Sequence, residues 1–325
     1  DDRVSTTLAA SLDRLAVLQA SVAVGKATSD ARPTLHLRLR LRHKNLLNLV
    51  HKTTDWVFII DRNLGLEYFD SGPTQNGAIY LLDFVPEFAS IDTDRLFLTT
   101  QVTEEITGLI QPTLEERDLD RGDGVEIYML NLLRSLSGRL ALKLLSTPTD
   151  VSGVLGLALA RLFLEQFGLL EDCILIPIDS HINLFTQSGR DFPLADEVSF
   201  KRGDLLLVSC DPESRALHFN VIEVKLRSDL GDINAYLSLR QDIEGQLTNT
   251  ETELRKQFDP NLQSQDRIDR QVKTRELIAL LAFYLQRSQR YGLVSQEAGL
   301  LFSKFIQTLD QGYRVATSGI GLIFD

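Results

Sequence analysis

Two carboxylates and an ammonium on neighbouring apolar strands are the groups in this chain best suited to chemistry. The segment Arg202-Gly203-Asp204-Leu205-Leu206-Leu207-Val208 reads as a short apolar strand opened by an acid, and His218-Phe219-Asn220-Val221-Ile222-Glu223-Val224-Lys225 as a second. Between them, Asp211-Pro212-Glu213-Ser214 supplies turn chemistry. A period of two puts Phe219, Val221, Glu223 and Lys225 on one face and His218, Asn220, Ile222, Val224 and Leu226 on the other. A twisted hairpin then brings Asp204 beside Glu223. Two acids and a lysine at a sheet end suit metal-assisted phosphodiester hydrolysis. Carboxylate oxygens favour a hard cation such as Mg²⁺ or Mn²⁺. The cation polarises a phosphate and generates a nucleophilic water, while the lysine orients that water or steadies developing charge. The plainer alternative is a surface hairpin with an incidental Glu-x-Lys pair.

These residues resemble the core of the PD-(D/E)xK, or restriction-endonuclease-like, nucleases. Asp204 matches the isolated Asp and Glu223-Val224-Lys225 the (D/E)xK. The resemblance implies a helix–strand–strand–helix–strand core, a mixed sheet flanked by helices. It also implies a Glu on the leading helix and a polar Gln on the following one, matched here by Glu165 and Gln246. Asp204, Glu223 and Glu165 would then bind Mg²⁺ or Mn²⁺, Lys225 would position the attacking water, and Gln246 would support the site. The pattern departs in one respect: Gly203, not Pro, precedes Asp204.

The elements that must hold these residues follow from periodicity. Leu155, Leu157, Leu159, Leu162, Leu164 and Phe167 make 152–168 a helix apolar nearly all round, capped by Asp150 or Ser152. Glu165 near its end needs a partner or a metal, unless the last turn emerges into water. An apolar run, Ile174 to Ile178, ends in Asp179-Ser180-His181, where Asp179 and His181 are either neighbours of the site or a structural hydrogen-bonding pair. A polar loop, 186–202, precedes the Asp204 strand, and such loops in nucleases reach toward substrate. After Lys225 a long helix starts near Asp232 and stops at Pro260, with Thr248, Thr252 and Arg255 able to face a phosphate. Helices at 265–290, the most basic in the chain, and 295–309 follow, then two terminal strands, Tyr313–Val315 and Ile320–Phe324.

The first 150 residues read as an accessory α/β region and 151–325 as the nuclease-like domain. Residues 5–28 have helical spacing. Leu35-His36-Leu37-Arg38-Leu39-Arg40-Leu41-Arg42 alternates as a strand with a basic face, so Arg38, Arg40, Arg42 and Lys44 either contact phosphates or pair with surplus acid. Strands are expected at Trp56–Ile60, Leu66–Asp70, Ala78–Val85 and Arg95–Thr100, with Trp56 in the core. Residues 125–145 form one amphipathic helix. The run 118–124 looks like a calcium loop but fails, with Gly122 at the fifth ligand position and Met129 at the twelfth.

At 325 residues, 43% hydrophobic and 24% charged, the chain can bury a large core. No apolar stretch is long enough for a membrane span. The start, Asp1-Asp2-Arg3, lacks an initiator Met and a signal sequence, which suggests a piece of a longer polypeptide. Two cysteines, Cys173 and Cys210, sit in apolar runs and read as reduced thiols of a cytoplasmic protein. A net charge of −11 argues against a nucleic-acid coat and implies that DNA grip comes from partner subunits or another part of a parent chain. No GxxxxGK[ST] is present, so no nucleoside-triphosphate site is expected here.

A wider likeness runs from about 55 to 230. Asp55-Trp56-Val57, Asp61-Arg62-Asn63, Glu67-Tyr68-Phe69-Asp70, Leu136-Ser137-Gly138-Arg139-Leu140-Ala141-Leu142-Lys143 and Ile176-Pro177-Ile178-Asp179-Ser180-His181 look like the C-terminal part of bacterial DptH-type proteins. Those belong to phosphorothioation-dependent DNA restriction and anti-phage defence. The likeness implies a larger parent with an ATP-dependent motor, acting on DNA with other subunits of a defence complex. The rival expectation is a catalytically inactive nuclease-like scaffold for assembly or DNA binding in such a complex. Nothing in the residues separates DNA from RNA as substrate.

Overall fold

A computed structural model of the chain describes residues 44–61, 68–70, 77–84, 95–116, 122–144, 148–178, 180–181, 203–227, 229–262 and 270–325, with isolated residues 10, 13–14, 17 and 119. The first part carries α1 (Lys44–Thr53), β1 (Val57–Asp61), β2 (Tyr80–Asp83), β3 (Arg95–Gln101), α2 (Glu104–Glu116), α3 (Val125–Leu136) and α4 (Gly138–Lys143). Its strands form an antiparallel sheet in the order β1-β3-β2. His51 ties α1 to that sheet: Nδ1 donates to Leu47 O at 2.9 Å, leaving Nε2 to accept from the Thr99 hydroxyl at 2.7 Å.

The second part is organised as α5 (Pro148–Gln166), β4 (Ile174–Pro177), β5 (Leu205–Asp211), β6 (Ala216–Leu226), α6 (Ile233–Phe258), α7 (Arg270–Arg290), α8 (Gln296–Gln307), a 3-10 turn (Leu309–Gln311) and β7 (Arg314–Phe324). The sheet order is β4-β5-β6-β7, with β4, β5 and β6 antiparallel in turn and β7 parallel to β6. The chain is therefore α/β, with a mixed sheet and helices packed on it.

One apolar layer joins Phe219 and Val221 of β6 to Ile243, Leu247 and Leu254 of α6 and Leu277, Leu280 and Leu281 of α7. The other joins Ile222 and Val224 to Leu155, Ala158 and Leu164 of α5 and continues through Leu130, Leu133 and Leu136 of α3 to Leu81 and Ile110. Apolar packing is thus continuous across residue 150. Each fully buried Leu or Ile in these layers contributes about 1.5–3 kcal/mol.

The Asp211 turn and the helix start at Asp232 act where they were expected, while the Ser295 cap was not anticipated. Asp211 Oδ1 accepts from the N–H groups of Glu213 and Ser214 at 3.0 and 3.3 Å, closing the β5–β6 turn. Asp232 caps α6 by accepting the Ala235 N–H at 2.8 Å, and Ser295 caps α8 through Ala298 at 3.1 Å. Cys173 and Cys210 are free and partly buried, and burial pushes both thiols up to about 11.

Several expectations are corrected. The 125–145 helix breaks at Ser137, whose backbone is extended (φ −161, ψ 137). The break seats Gly138 against β2, where a Cβ would lie 2.0 Å from Leu82 O. Helix α5 starts at Pro148, so Asp150 and Ser152 lie inside it, and Pro is at home in a first turn. Tyr68, Phe69 and Asp70 form a turn, not a strand. Trp56 is 47% exposed, because β1 is an edge strand and Trp56 shares its outward parity with Phe58, which is 54% exposed. The two terminal strands are one, β7, uninterrupted at Gly319 and Gly321. Helices α1 and α2 were not anticipated; α2 contains Pro112. The basic strand at 35–42, most of 5–28 and the 186–202 loop lie outside the described residues, and Lys44 begins α1.

Candidate active site

Asp204 sits where β5 begins, and its backbone and side chain together extend the β5–β6 ladder. Its N–H donates to Ile222 O at 2.8 Å, and its carbonyl accepts from Ile178 N at 2.9 Å. Its carboxylate Oδ2 accepts the Val224 N–H at 2.7 Å, where a regular strand would offer a carbonyl. The carboxylate is thereby fastened to the peptide that joins Glu223 to Val224.

Glu223 is fully buried and points to the α6 side of the sheet, with Phe219 and Val221. A buried carboxylate is costly unless compensated. Lys225, two residues along the same face, provides that charge: its Nζ lies 2.5 Å from Glu223 Oε1, and its side chain is 26% exposed. The parity read from the sequence is the observed one, since Val224 and Leu226 pack the opposite face against Gly156 of α5 at 3.4 Å from a built Cβ.

Helix α6 closes the Glu223 face because β7 is stripped of side chains beneath it. Gly321 stands opposite Glu223 in the β6–β7 register, and a Cβ there would meet Ile243 Cγ2 at 2.6 Å. Gly319 takes Leu247 in the same way, with Cβ contacts of 3.2 Å. One turn on, the buried Thr250 hydroxyl accepts the Gly203 N–H at 2.8 Å and donates to Gln246 O at 2.8 Å. Half-buried Gln246 therefore lies on the stretch of α6 bounded by contacts to Gly321 and to Gly203, on the same side of the sheet as Glu223.

Glu165 is not brought to this group. It is on α5, which packs the other sheet face, and lies nine residues beyond Gly156, about 13 Å along the helix axis. Its side chain is 53% exposed and pairs with Arg161 at 2.8 Å. The last turn of α5 emerges into water.

His181 is buried and hydrogen-bonded through Nε2 to the Tyr284 hydroxyl at 2.7 Å. Burial, reinforced by the Arg139 charge, pushes its pKa down to about 4, so it is neutral near pH 7. The role of His181 is structural, with Tyr284 as partner; Asp179, the partner weighed from the sequence, lies outside the described residues. Thr248 and Thr252 donate their hydroxyl hydrogens inside α6, to Glu244 O at 2.8 Å and Thr248 O at 2.7 Å, and Arg255 lies 3.9 Å from Asp259. Arg287 and Arg290, from the most basic helix, are turned inward onto Asp70.

Two features escaped the sequence. Thr250 was legible only as the residue four beyond Gln246 on the sheet-facing stripe. The buried Asp70 joins the two halves of the chain: it pairs with Arg287, bonds Arg290 Nη2 at 3.0 Å and accepts from the Tyr291 hydroxyl at 3.1 Å. Arg134, also buried, donates to Asn131 Oδ1 at 2.8 Å, and Arg287 donates to Arg134 O and to Ser135 O.

Among the described residues, no group of three or more His, Cys, Asp and Glu side chains lies in ligating range of one another, and no helix is long and apolar enough to cross a membrane. Comparison with protein-family models, with curated proteins and with solved structures found no match.

Proposed function

We propose that the chain is a metal-dependent nuclease of the PD-(D/E)xK kind, hydrolysing phosphodiester bonds of DNA with Mg²⁺ or Mn²⁺. The single observation that carries the reading is the fastening of the Asp204 carboxylate onto the Glu223-Val224 peptide, beside the Glu223–Lys225 pair. The elements run α5, β4, β5, β6, α6, α7, α8, β7, and with β4, α7 and α8 set aside they follow the helix–strand–strand–helix–strand succession of a restriction-endonuclease-like core, which gives the reading partial support.

The residues present fit a hard cation. Asp204 and Glu223 would supply oxygen ligands, and Mg²⁺ is commonly held by one or two carboxylates with water and substrate phosphate completing its shell, so a third protein ligand is not required. When bound, the ion would polarise the scissile phosphate and lower the pKa of an attacking water. The chain's own groups then have separate tasks. Asp204 is oriented by its bonds to Ile178, Ile222 and Val224, so little reorganisation is needed to present its carboxylate. Lys225 neutralises Glu223 in the resting chain, and its partly exposed ammonium is the group able to orient a water or steady charge on phosphate. Gln246 adds an amide from α6. Glu165, exposed on the far face, is left out of this set.

The wider setting belongs to the same reading: a restriction or anti-phage defence complex, such as phosphorothioation-dependent DNA restriction, with partner subunits and a motor elsewhere. The net charge of −11 supports dependence on partners for DNA grip. It equally favours the second reading, a catalytically inactive scaffold in such a complex. The two separate in a cleavage assay on plasmid DNA and on RNA with Mg²⁺, Mn²⁺ or chelator. Cation-dependent cleavage abolished by Glu223→Gln supports the nuclease; equal cleavage by wild type and variant removes the site, and no cleavage with the partners present favours the scaffold.

A further inference from the structure

We infer that Thr250 is a positioning residue for this centre, holding Asp204 and Gln246 in register through one hydroxyl; the inference rests on the nuclease reading above. Gly203 N–H lies just before the first bonded position of β5, so the ladder offers it no carbonyl. Asp204 N–H already uses Ile222 O, and the Val224 N–H is taken by the Asp204 carboxylate. The Gly203 N–H is buried and must find an acceptor from outside the sheet. Thr250 Oγ1, fully buried, is that acceptor at 2.8 Å.

The geometry admits little slack. A Cβ at residue 203 would lie 2.5 Å from Val221 Cγ1 and 3.3 Å from Ile222 O, so Gly203 is pressed flat on β6. The Thr250 hydrogen goes to Gln246 O at 2.8 Å, a bond one helical turn back that fixes the hydroxyl's rotamer and aims its lone pair at the sheet. One oxygen thus links the α6 turn that carries Gln246 to the residue preceding Asp204. Loss of the hydroxyl frees the Gly203 peptide, and with it the orientation of the Asp204 carboxylate, without touching any group that meets substrate.

The test compares Thr250→Ser with Thr250→Ala, which differ by that one oxygen, in the 325-residue chain. Two quantities are read: half-saturating Mn²⁺, followed by paramagnetic resonance of free Mn²⁺, and the Mn²⁺ dependence of plasmid cleavage, with DNA affinity measured in parallel. Thr250→Ala is expected to raise half-saturating Mn²⁺ by about tenfold or more, the usual effect of losing an outer partner of a metal ligand, with DNA affinity unchanged. Thr250→Ser is expected to restore it to near the wild-type value. If Thr250→Ala does not fold, Thr250→Val, which keeps the volume, takes its place against Thr250→Ser. Wild type that binds and cleaves, with the hydroxyl-free variant matching it, overturns the role of Thr250 alone. Wild type that neither binds Mn²⁺ nor cleaves overturns the nuclease reading and this inference with it.

Discussion

The Val224 N–H donates to the Asp204 carboxylate at 2.7 Å, so a side chain on one strand completes a backbone ladder on the next. This bond does two jobs. It ends the β5–β6 pairing without leaving a buried donor unsatisfied, and it puts one acid beside the peptide of the other. Asp204→Asn keeps an oxygen acceptor and should fold within about 1 kcal/mol of wild type, while Asp204→Ala should lose about 1–3 kcal/mol with the orphaned N–H. Urea denaturation checks this order. A larger loss in Asp204→Asn than in Asp204→Ala would contradict the bond's assigned role.

The Glu223–Lys225 pair makes a separate claim on stability. Removing one partner of a buried pair costs about 3–5 kcal/mol. With Lys225 26% exposed, Lys225→Met should cost less, about 2–3 kcal/mol. Adding Glu223→Gln in the same chain should recover about half of that loss, because the stranded charge is gone. Additive losses in the double variant would show that the two side chains do not interact.

Acid should weaken the fold through His181. Its folded pKa, about 4, is depressed below the ordinary 6.5 by burial, so the unfolded chain takes up the proton first as pH falls. Stability is therefore full above about pH 6.5 and declines toward pH 4, by up to about 3 kcal/mol from this residue. His51, also lowered by burial, acts in the same sense. Urea midpoints at pH 7 and pH 4.5 should drop less in His181→Gln than in wild type; an equal drop would assign the acid sensitivity elsewhere.

Asp70 should be a structural lynchpin between the halves. It is 2% exposed and faces Arg287 and Arg290, with Arg134 nearby. Asp70→Asn keeps the shape but removes the charge, and should destabilise by about 3 kcal/mol or more. Activity per folded molecule should be unchanged, since Asp70 bonds Arg287, Arg290 and Tyr291 and not a residue assigned to the site. Thermal melting with cleavage measured at a fully folded temperature separates these effects.

Much of the site's framework was legible because local chemistry fixes it. The Asp211 turn, the helix start at Asp232 and the alternation through Glu223 and Lys225 are short-range signals, and each appears at the expected residues. What failed depends on neighbours distant in sequence. The break at Ser137 exists because Gly138 must approach Leu82 O, and nothing in a Leu-rich helical pattern announces that. Residues 316–319 read as a gap between two strands, whereas Gly319, together with Gly321 of the expected last strand, is the surface on which Leu247 and Ile243 rest. Helix α5, apolar nearly all round, has no polar stripe to say which face meets the sheet, so Glu165 could be placed on a helix but not relative to Glu223. Thr250 was invisible for the same reason: its importance lies in the Gly203 N–H, a group that only folding isolates.

The most direct test of the account is single-turnover cleavage of plasmid DNA in Mg²⁺ or Mn²⁺ by wild type and Asp204→Asn, in the presence of whatever partner subunits the chain assembles with. The account expects cation-dependent cleavage by wild type and a loss of at least about 100-fold in Asp204→Asn, with melting temperature and DNA affinity preserved. Cleavage that proceeds at the same rate in both proteins would contradict it.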